Sequence, residues 1–221
     1  MKVSSGSSVI DSLLDGGYET DAITTVYGPG GAGKTNLCML CAISFAKQGK
    51  KVVYIDTDGS FSVARMKQLT SEYEKVLESI IFFKPTTFEE QKKCFERLKQ
   101  LNNIDLIIVD SIAMLYRLEL GQSDNVQSVN CDLGLQLAYL TETTRKKNIP
   151  VLMTNQVYAD FENKDQIKMV GGDLLKYSSK CLIELQKYHK GKRKAILKKH
   201  RSMPEEKETY FEIIHDGIKE V

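Results

Sequence analysis

The chain is predicted to fold as an α/β protein: a mostly parallel sheet flanked by helices, with an antiparallel C-terminal hairpin extension. Three observations predict this. Apolar runs of strand length alternate with amphipathic helical periods over the first two thirds of the 221 residues. A glycine-rich loop joins the first such run to the first long helix. In the last third, strand-like runs follow one another with only short turns between them, as hairpins do.

Taken in order, Ala22 to Tyr27 reads as a buried strand and Thr35 to Lys47 as the helix after the glycine loop. Lys51 to Asp56 is the next strand, followed by a short helix around Phe61 to Leu69 and a strand over Ser79 to Phe83. Thr87-Phe88-Glu89-Glu90 has the form of a capping box, opening a helix with Phe88, Phe95, Leu98 and Leu101 on one side. Ile104 to Val109 is an apolar strand that ends in Asp110. Val126, Val129, Leu133, Leu137 and Leu140 repeat at helical spacing, which predicts a long amphipathic helix over 124–147. Ile149 to Thr154 is the next strand. Cys181 to Tyr188 and Lys192 to Lys199 flank the turn His189-Lys190-Gly191, and Thr209 to Ile214 is strand-like again.

The length fits one large α/β domain over 1–221 or two small ones, and no low-complexity linker or composition break divides it. A net charge of +2 predicts no global attraction to nucleic acid, so any such surface must be local. Five cysteines without a signal peptide point to a reducing cytoplasm. Cys38 and Cys41 are spaced as C-x-x-C, but inside a helix, where a buried apolar face accounts for them better than redox or metal chemistry. No apolar run approaches the length of a membrane span.

Gly28-Pro29-Gly30-Gly31-Ala32-Gly33-Lys34-Thr35 matches G-x-x-x-x-G-K-[ST] in full. In such a loop successive backbone N–H groups turn inward around a phosphate, at a helix N-terminus that favours negative charge. Lys34 can reach the β and γ phosphates and the Thr35 hydroxyl can ligate Mg²⁺. The strand Leu106-Ile107-Ile108-Val109-Asp110 ends in a carboxylate of the kind that holds that metal. Ser111, not Glu, follows, so the group that would position water is sought elsewhere. Asp58 stands at the carboxyl end of the second strand, the side on which ligands of open α/β sheets bind; a helix cap or turn role before Gly59 is its plain alternative. Gln156 closes another strand in Thr154-Asn155-Gln156, where an amide can sense the γ-phosphate and pass its state to the polar loop 157–170. Gly171-Gly172 after it allows a tight turn.

Eight basic residues lie between Lys187 and Arg201 without an acidic one: Lys187, Lys190, Lys192, Arg193, Lys194, Lys198, Lys199 and Arg201. This run can bind nucleic-acid phosphates or meet a nucleotide across a subunit interface; equally, it can be a solvated hairpin whose lysines protect a sheet edge.

Together and in order, these motifs resemble the RecA/RadA recombinase family, and within it the RadB group of archaeal RadA paralogues. The lead-in Ser5 to Thr20, Tyr-Ile-Asp-Thr-Asp-Gly-Ser-Phe at 54–61, Thr154-Asn155-Gln156-Val157, Gly171-Gly172 and Ser202-Met203-Pro204-Glu205 carry the resemblance over nearly the whole chain. It implies a RecA-like P-loop NTPase core, ATP and Mg²⁺ as cofactors, and DNA, single-stranded or branched, as partner. Gly28 to Thr35 would bind nucleotide, with Asp110 and Thr35 on the metal and Arg65 against the adenine. Lys34, Asp58 and Gln156 would be the catalytic and sensing groups. The segment Arg117 to Ser123 and the loop 157–170, with Lys164 and Lys168, would correspond to the family's two DNA-binding loops. Lys187, Lys190, Lys192, Arg193 and Lys194 are further candidate DNA contacts.

Three departures shape the expected function. The family's catalytic Glu is Asp58 here, one methylene shorter, and a displacement of about an ångström can cost on the order of a hundredfold. The first Phe is Phe45, so the family's N-terminal polymerisation anchor is missing and only weak self-association is expected. Leu118 to Ser123 lacks arginine, which argues against strong strand exchange. The resemblance thus implies an accessory factor that binds ATP and DNA, hydrolyses weakly, and assists a main RadA-type recombinase or a junction-processing nuclease. A KaiC-type regulatory ATPase acting through protein partners shares the lead-in and the phosphate loop; a nucleotide-stabilised adaptor without turnover is a further alternative. A P-loop phosphotransferase fits poorly, because 111–125 offers only Arg117 for a lid.

Overall fold

The computed structural model describes residues 1–159 and 167–221. The lead-in comprises β1 (Lys2–Val3), α1 (Ser8–Leu13) and β2 (Tyr18–Glu19), with β1 and β2 paired antiparallel. Then come β3 (Ile23–Tyr27), α2 (Lys34–Ala46), β4 (Val52–Asp56), α3 (Val63–Leu69), α4 (Tyr73–Glu78) and β5 (Ile80–Phe83). The middle of the chain supplies α5 (Phe88–Gln100), β6 (Leu106–Asp110), α6 (Met114–Gln122), α7 (Val126–Lys147) and β7 (Val151–Asn155). β8 (Val157–Ala159) pairs antiparallel with β9 (Ile167–Met169), and α8 (Gly172–Ser178) leads into β10 (Cys181–Lys187). A 3₁₀ turn (His189–Gly191), β11 (Arg193–His200), β12 (Glu208–Ile214) and β13 (Gly217–Glu220) complete the described elements.

Nine of the strands form one sheet in the order β13-β12-β11-β10-β3-β7-β6-β4-β5. From β10 to β5 every neighbouring pair is parallel; from β10 to β13 every pair is antiparallel. The fold class is therefore the RecA-like α/β arrangement expected, with the antiparallel part extending over three added strands.

Period-two alternation explains how the sheet is covered twice. Val52, Tyr54, Leu106 and Ile108 point into one core, with residues of α1 and α2. Val53, Ile55, Ile107 and Val109 point into the other, with residues of α5, α6, α7 and α8. Because both faces are buried, β3, β4, β6 and β7 are buried at every residue. Cys38 and Cys41 lie fully buried in the first core, free as thiols, and burial pushes both thiols up.

Local differences from the sequence expectation have physical causes. The helix expected from Phe61 begins at Val63, because the Ser62 hydroxyl accepts the Arg65 N–H at 3.2 Å and caps it. Thr87 caps α5 as expected, but Glu90 reaches past it to the Thr86 N–H (2.7 Å) and hydroxyl (2.9 Å), so the reciprocal bond is displaced by one residue. Val126 is exposed at the start of α7 and takes no part in its buried stripe. The segment Arg117 to Ser123, expected as a loop, lies mostly within α6. Leu115 and Tyr116 are buried there, and the Tyr116 hydroxyl donates to Asn130 Oδ1 at 2.6 Å, which pins the segment to α7. The ends of the polar segment 157–170 form the β8–β9 hairpin; Lys164 lies outside the described residues. The elements α1, α4, α8 and β13 carried too little periodicity to be anticipated.

Candidate functional site

The parallel strands bring their carboxyl ends together, and registry sets Asp56 beside Asp110 and Tyr27 beside Asn155. Over these ends runs the loop 28–33. Gly31 and Gly33 adopt φ of +72° and +106°, and Gly33 sits at the N-cap of α2. A Cβ on Gly28 would stand 2.3 Å from the Leu185 carbonyl oxygen, so only glycine lets the loop leave β3 against β10. The resulting cleft of about 370 Å³ is lined by Gly28, Gly30, Gly31, Gly33, Lys34, Thr35, Asp58, Asp110 and Gln156, among others. A larger cleft of about 670 Å³ between α7 and α8 shares no residue with it.

The Lys34 ammonium donates to the carbonyl oxygens of Gly28 (2.8 Å) and Pro29 (3.0 Å). Burial lowers its pKa, while Asp110 and Asp58 act in the opposite sense. Asp110 is 2 % exposed, and burial raises its carboxyl against hydrogen bonds that lower it. Thr154 donates to Oδ1 at 2.5 Å; Tyr54 donates to Oδ2 at 2.9 Å and Ser60 at 3.4 Å. The Thr35 and Ser60 hydroxyls stand 3.2 Å apart at the mouth of the cleft.

Asp58 and Gln156 meet directly. Gln156 Nε2 donates to Asp58 Oδ2 at 3.1 Å, and the Ser111 hydroxyl donates to Asp58 Oδ1 at 3.2 Å. Behind them the Thr57 hydroxyl donates to the Ser111 carbonyl (2.6 Å) and accepts the Ser111 N–H (2.9 Å), tying the end of β4 to the end of β6. Asp56 is buried and takes no part in the cleft. It accepts the Ser60 and Phe61 N–H groups at 3.1 and 3.3 Å and so fixes the loop that carries Asp58. Asn155 donates to the Val170 carbonyl at 2.8 Å, joining the end of β7 to the end of the β8–β9 hairpin.

The donor set fits a nucleotide with Mg²⁺. The loop supplies a side-chain-free cradle, Lys34 a cation, and Thr35, Ser60 and Asp110 hard oxygens. No group of three or more His, Cys, Asp or Glu able to hold a metal occurs among the described residues. Mg²⁺ is held by one or two protein oxygens together with phosphates, not by a protein cage.

Other candidates fall elsewhere. Arg65 does not line the cleft: its guanidinium donates to Asn36 Oδ1 (2.7 Å), Gln68 Oε1 (2.8 Å) and the carbonyls of His215 (2.7 Å), Ile214 (2.8 Å) and Gly217 (3.3 Å), clamping the β12–β13 turn to α3. Arg117 is exposed on α6. Three of the eight residues of the basic run are paired with acidic neighbours. Lys194 pairs with Glu208 and Lys198 with Glu206, each at 2.5 Å, and Arg201 pairs with Glu19 and Asp21. Lys190 and Lys192 form no ion pair among the described residues and follow Tyr188, whose half-exposed ring packs on Tyr210 and His189. Lys187 and Arg193 turn toward Gly31 of the phosphate loop. Sequence reasoning missed Tyr54, Ser60 and Thr154. The alternation of β4, with Tyr54 and Asp56 on one side, is the one signal that bears on Tyr54.

The sequence profile of the Rad51 family matches residues 1–221. The "DNA repair and recombination protein RadB" of Methanobrevibacter smithii is 41 % identical over 221 residues, covering 96 % of this chain and 93 % of its own. That of Methanococcus maripaludis strain C7 is 43 % identical over 213 residues, covering 96 % and 97 %. A solved structure titled "Crystal structure of the RadB recombinase" superposes with a TM-score of 0.84 at 37 % identity, covering 99 % of both chains. No helix among the described residues is long and apolar enough to cross a membrane.

Proposed function

This chain belongs to the Rad51 family, and from that premise we propose that it is an ATP- and DNA-binding accessory protein of DNA repair and homologous recombination. In this reading it hydrolyses ATP weakly and performs little or no strand exchange alone. It modulates a main RadA-type recombinase or a nuclease acting on branched DNA, with at most weak self-association. The observation that carries the nucleotide part is the constellation at the strand ends: phosphate loop, Lys34, Asp110 and the Asp58–Gln156 hydrogen bond in one cleft. The names of the relatives support the recombination part.

Gly28 to Gly33 would cradle the phosphates with backbone N–H groups, and Lys34 would turn from the loop carbonyls to a phosphate oxygen. Thr35, with Asp110 behind it, would hold Mg²⁺, which when bound neutralises charge on the phosphate chain. Asp58 would orient the attacking water and accept its proton. Gln156 would sense the occupant, since it touches Asp58 on one side and continues through Asn155 to the β8–β9 hairpin on the other. If this hairpin took up two positions that a nucleotide binds with different affinity, nucleotide would be coupled to DNA.

Asp58→Asn keeps the shape and removes the proton acceptor. The expected result is a fall in the already slow kcat of about a hundredfold, with KM for ATP nearly unchanged. Unchanged residual hydrolysis would remove Asp58 from the mechanism. The DNA part is tested by fluorescence anisotropy of labelled single-stranded and branched DNA, with and without Mg·ATP, across a salt series. Binding that weakens steeply with salt and changes with ATP is expected. Absence of binding at low salt would overturn the DNA role and favour a KaiC-type regulatory ATPase.

A further inference from the structure

We infer that Lys187, supported by Arg193, is a phosphate ligand for the nucleotide held in the same chain's own loop, not a DNA contact. The inference rests on the nucleotide-binding reading above and extends it to a strand outside the motif.

Lys187 ends β10, the parallel neighbour of β3, and Arg193 begins β11; the two face one another across the ladder. Like charges directly opposite destabilise a strand pair. Here both side chains nevertheless converge on the same point. The Lys187 Cε and Nζ atoms each stand 3.5 Å from where a Cβ of Gly31 would be. Arg193 Nε donates to the Gly31 carbonyl at 3.2 Å. The remaining Arg193 bonds go to the carbonyls of Gly191 (2.5 Å) and Lys192 (3.1 Å). Neither side chain forms an ion pair among the described residues, whereas Lys194, Lys198 and Arg201 of the same hairpin each do.

Lys34 lies on the inner side of this loop and feels Lys187 as a repulsive charge. Three cations thus gather around six residues of backbone. Their two nearby carboxylates, Asp58 and Asp110, act on Lys34 and are themselves engaged by hydroxyls and by Gln156. Such a gathering is compensated by a polyanion seated in the loop, where a charge-assisted bond from Lys187 adds to those of the backbone. Gly31 has φ of +72° and no Cβ, which leaves the approach from β10 open.

The test is titration calorimetry of Mg·ATP and Mg·ADP into the full chain without DNA, for the wild type, Lys187→Met, Lys187→Arg and Lys198→Met. Lys187→Met is expected to bind both nucleotides about tenfold more weakly. Lys187→Arg restores most of the affinity, and Lys198→Met, which removes the same charge from the same hairpin, binds as the wild type does. Wild-type affinity in Lys187→Met overturns the inference while leaving the nucleotide reading intact. So does a Lys187→Met protein that loses DNA binding alone. Failure of the wild type to bind Mg·ATP sinks the nucleotide reading itself, and this inference with it.

Discussion

Lys34→Ala is expected to abolish measurable ATP turnover, lowering kcat by on the order of a hundredfold or more, and to leave the fold intact. The rate effect follows from removing a preorganised cation from the phosphates, where one lost donor typically costs on the order of 10²–10³ in rate. The stability effect has the opposite character. Burial depresses the pKa of Lys34, so the unfolded chain holds this proton more tightly than the folded one. Below its folded pKa the buried ammonium therefore opposes folding, and the cost is relieved as pH rises through that value. The bonds to the Gly28 and Pro29 carbonyls offset part of that cost. Alanine removes both terms, and the melting temperature of the nucleotide-free variant at neutral pH should stay within a few degrees of the wild type. Mg·ATP should raise the melting temperature of the wild type, by mass action on the folded state, and not that of the variant. Thermal melting with and without Mg·ATP, beside a phosphate-release assay, measures both. A variant that hydrolyses ATP normally, or one that melts far lower, would contradict the geometry of this lysine.

The parts of this architecture that were legible in the sequence are those set by short-range patterns. Apolar runs such as Leu106-Ile107-Ile108-Val109 read as doubly buried strands because every residue faces one core or the other. Gly28 to Thr35 is legible because backbone geometry at a phosphate site demands glycine at fixed spacing. What was not legible depends on contacts between residues distant in sequence. Arg65 carries no local signal for the β12–β13 turn it clamps, which lies about 150 residues away. Asp56 and Asp58 are chemically alike and two residues apart, and only the loop closed by the Ser60 and Phe61 N–H groups separates a structural carboxylate from one in the cleft. The basic run looked uniform as sequence. Its members diverge because β12 places Glu208 diagonally across from Lys194, which faces Tyr210, while strand order delivers Lys187 and Arg193 to Gly31. Arg117 to Ser123 was expected as a loop from the family resemblance; it lies mostly in α6, which the burial of Leu115 and Tyr116 anchors.

Gly6→Ala should be a strongly damaging small substitution outside the cleft. The lead-in was readable as a turn of small residues, but not the reason for their size. Gly6 has φ of +81°, and a Cβ there would lie 2.2 Å from the Leu40 carbonyl oxygen and 2.6 Å from its carbon. Both are backbone atoms of α2, so no flexible side chain can move aside. The positive φ costs alanine about 1–2 kcal/mol, and forcing α2 away from the turn costs about 1–3 kcal/mol more. Against a total stability of about 5–15 kcal/mol, a combined loss of about 2–5 kcal/mol is a large fraction of the whole. The neighbours sharpen the effect. Ser5 and Ser7 are buried and bonded to one another, and Ser7 caps α1, so the turn cannot relax outward without releasing those bonds. Because α2 begins at Lys34, its displacement also reaches the phosphate loop. Nucleotide affinity of Gly6→Ala, measured below its melting transition, should fall along with stability, although Gly6 lies outside the cleft lining. Urea unfolding of Gly6→Ala beside Gly49→Ala separates the two causes. Gly49 also has a positive φ, of +72°, but has no atom within 4 Å of the added Cβ, so it reports the backbone cost alone. Equal losses in the two variants would show that the close approach to Leu40 carries no energy; a Gly6→Ala loss larger by about 1–3 kcal/mol is the expected result.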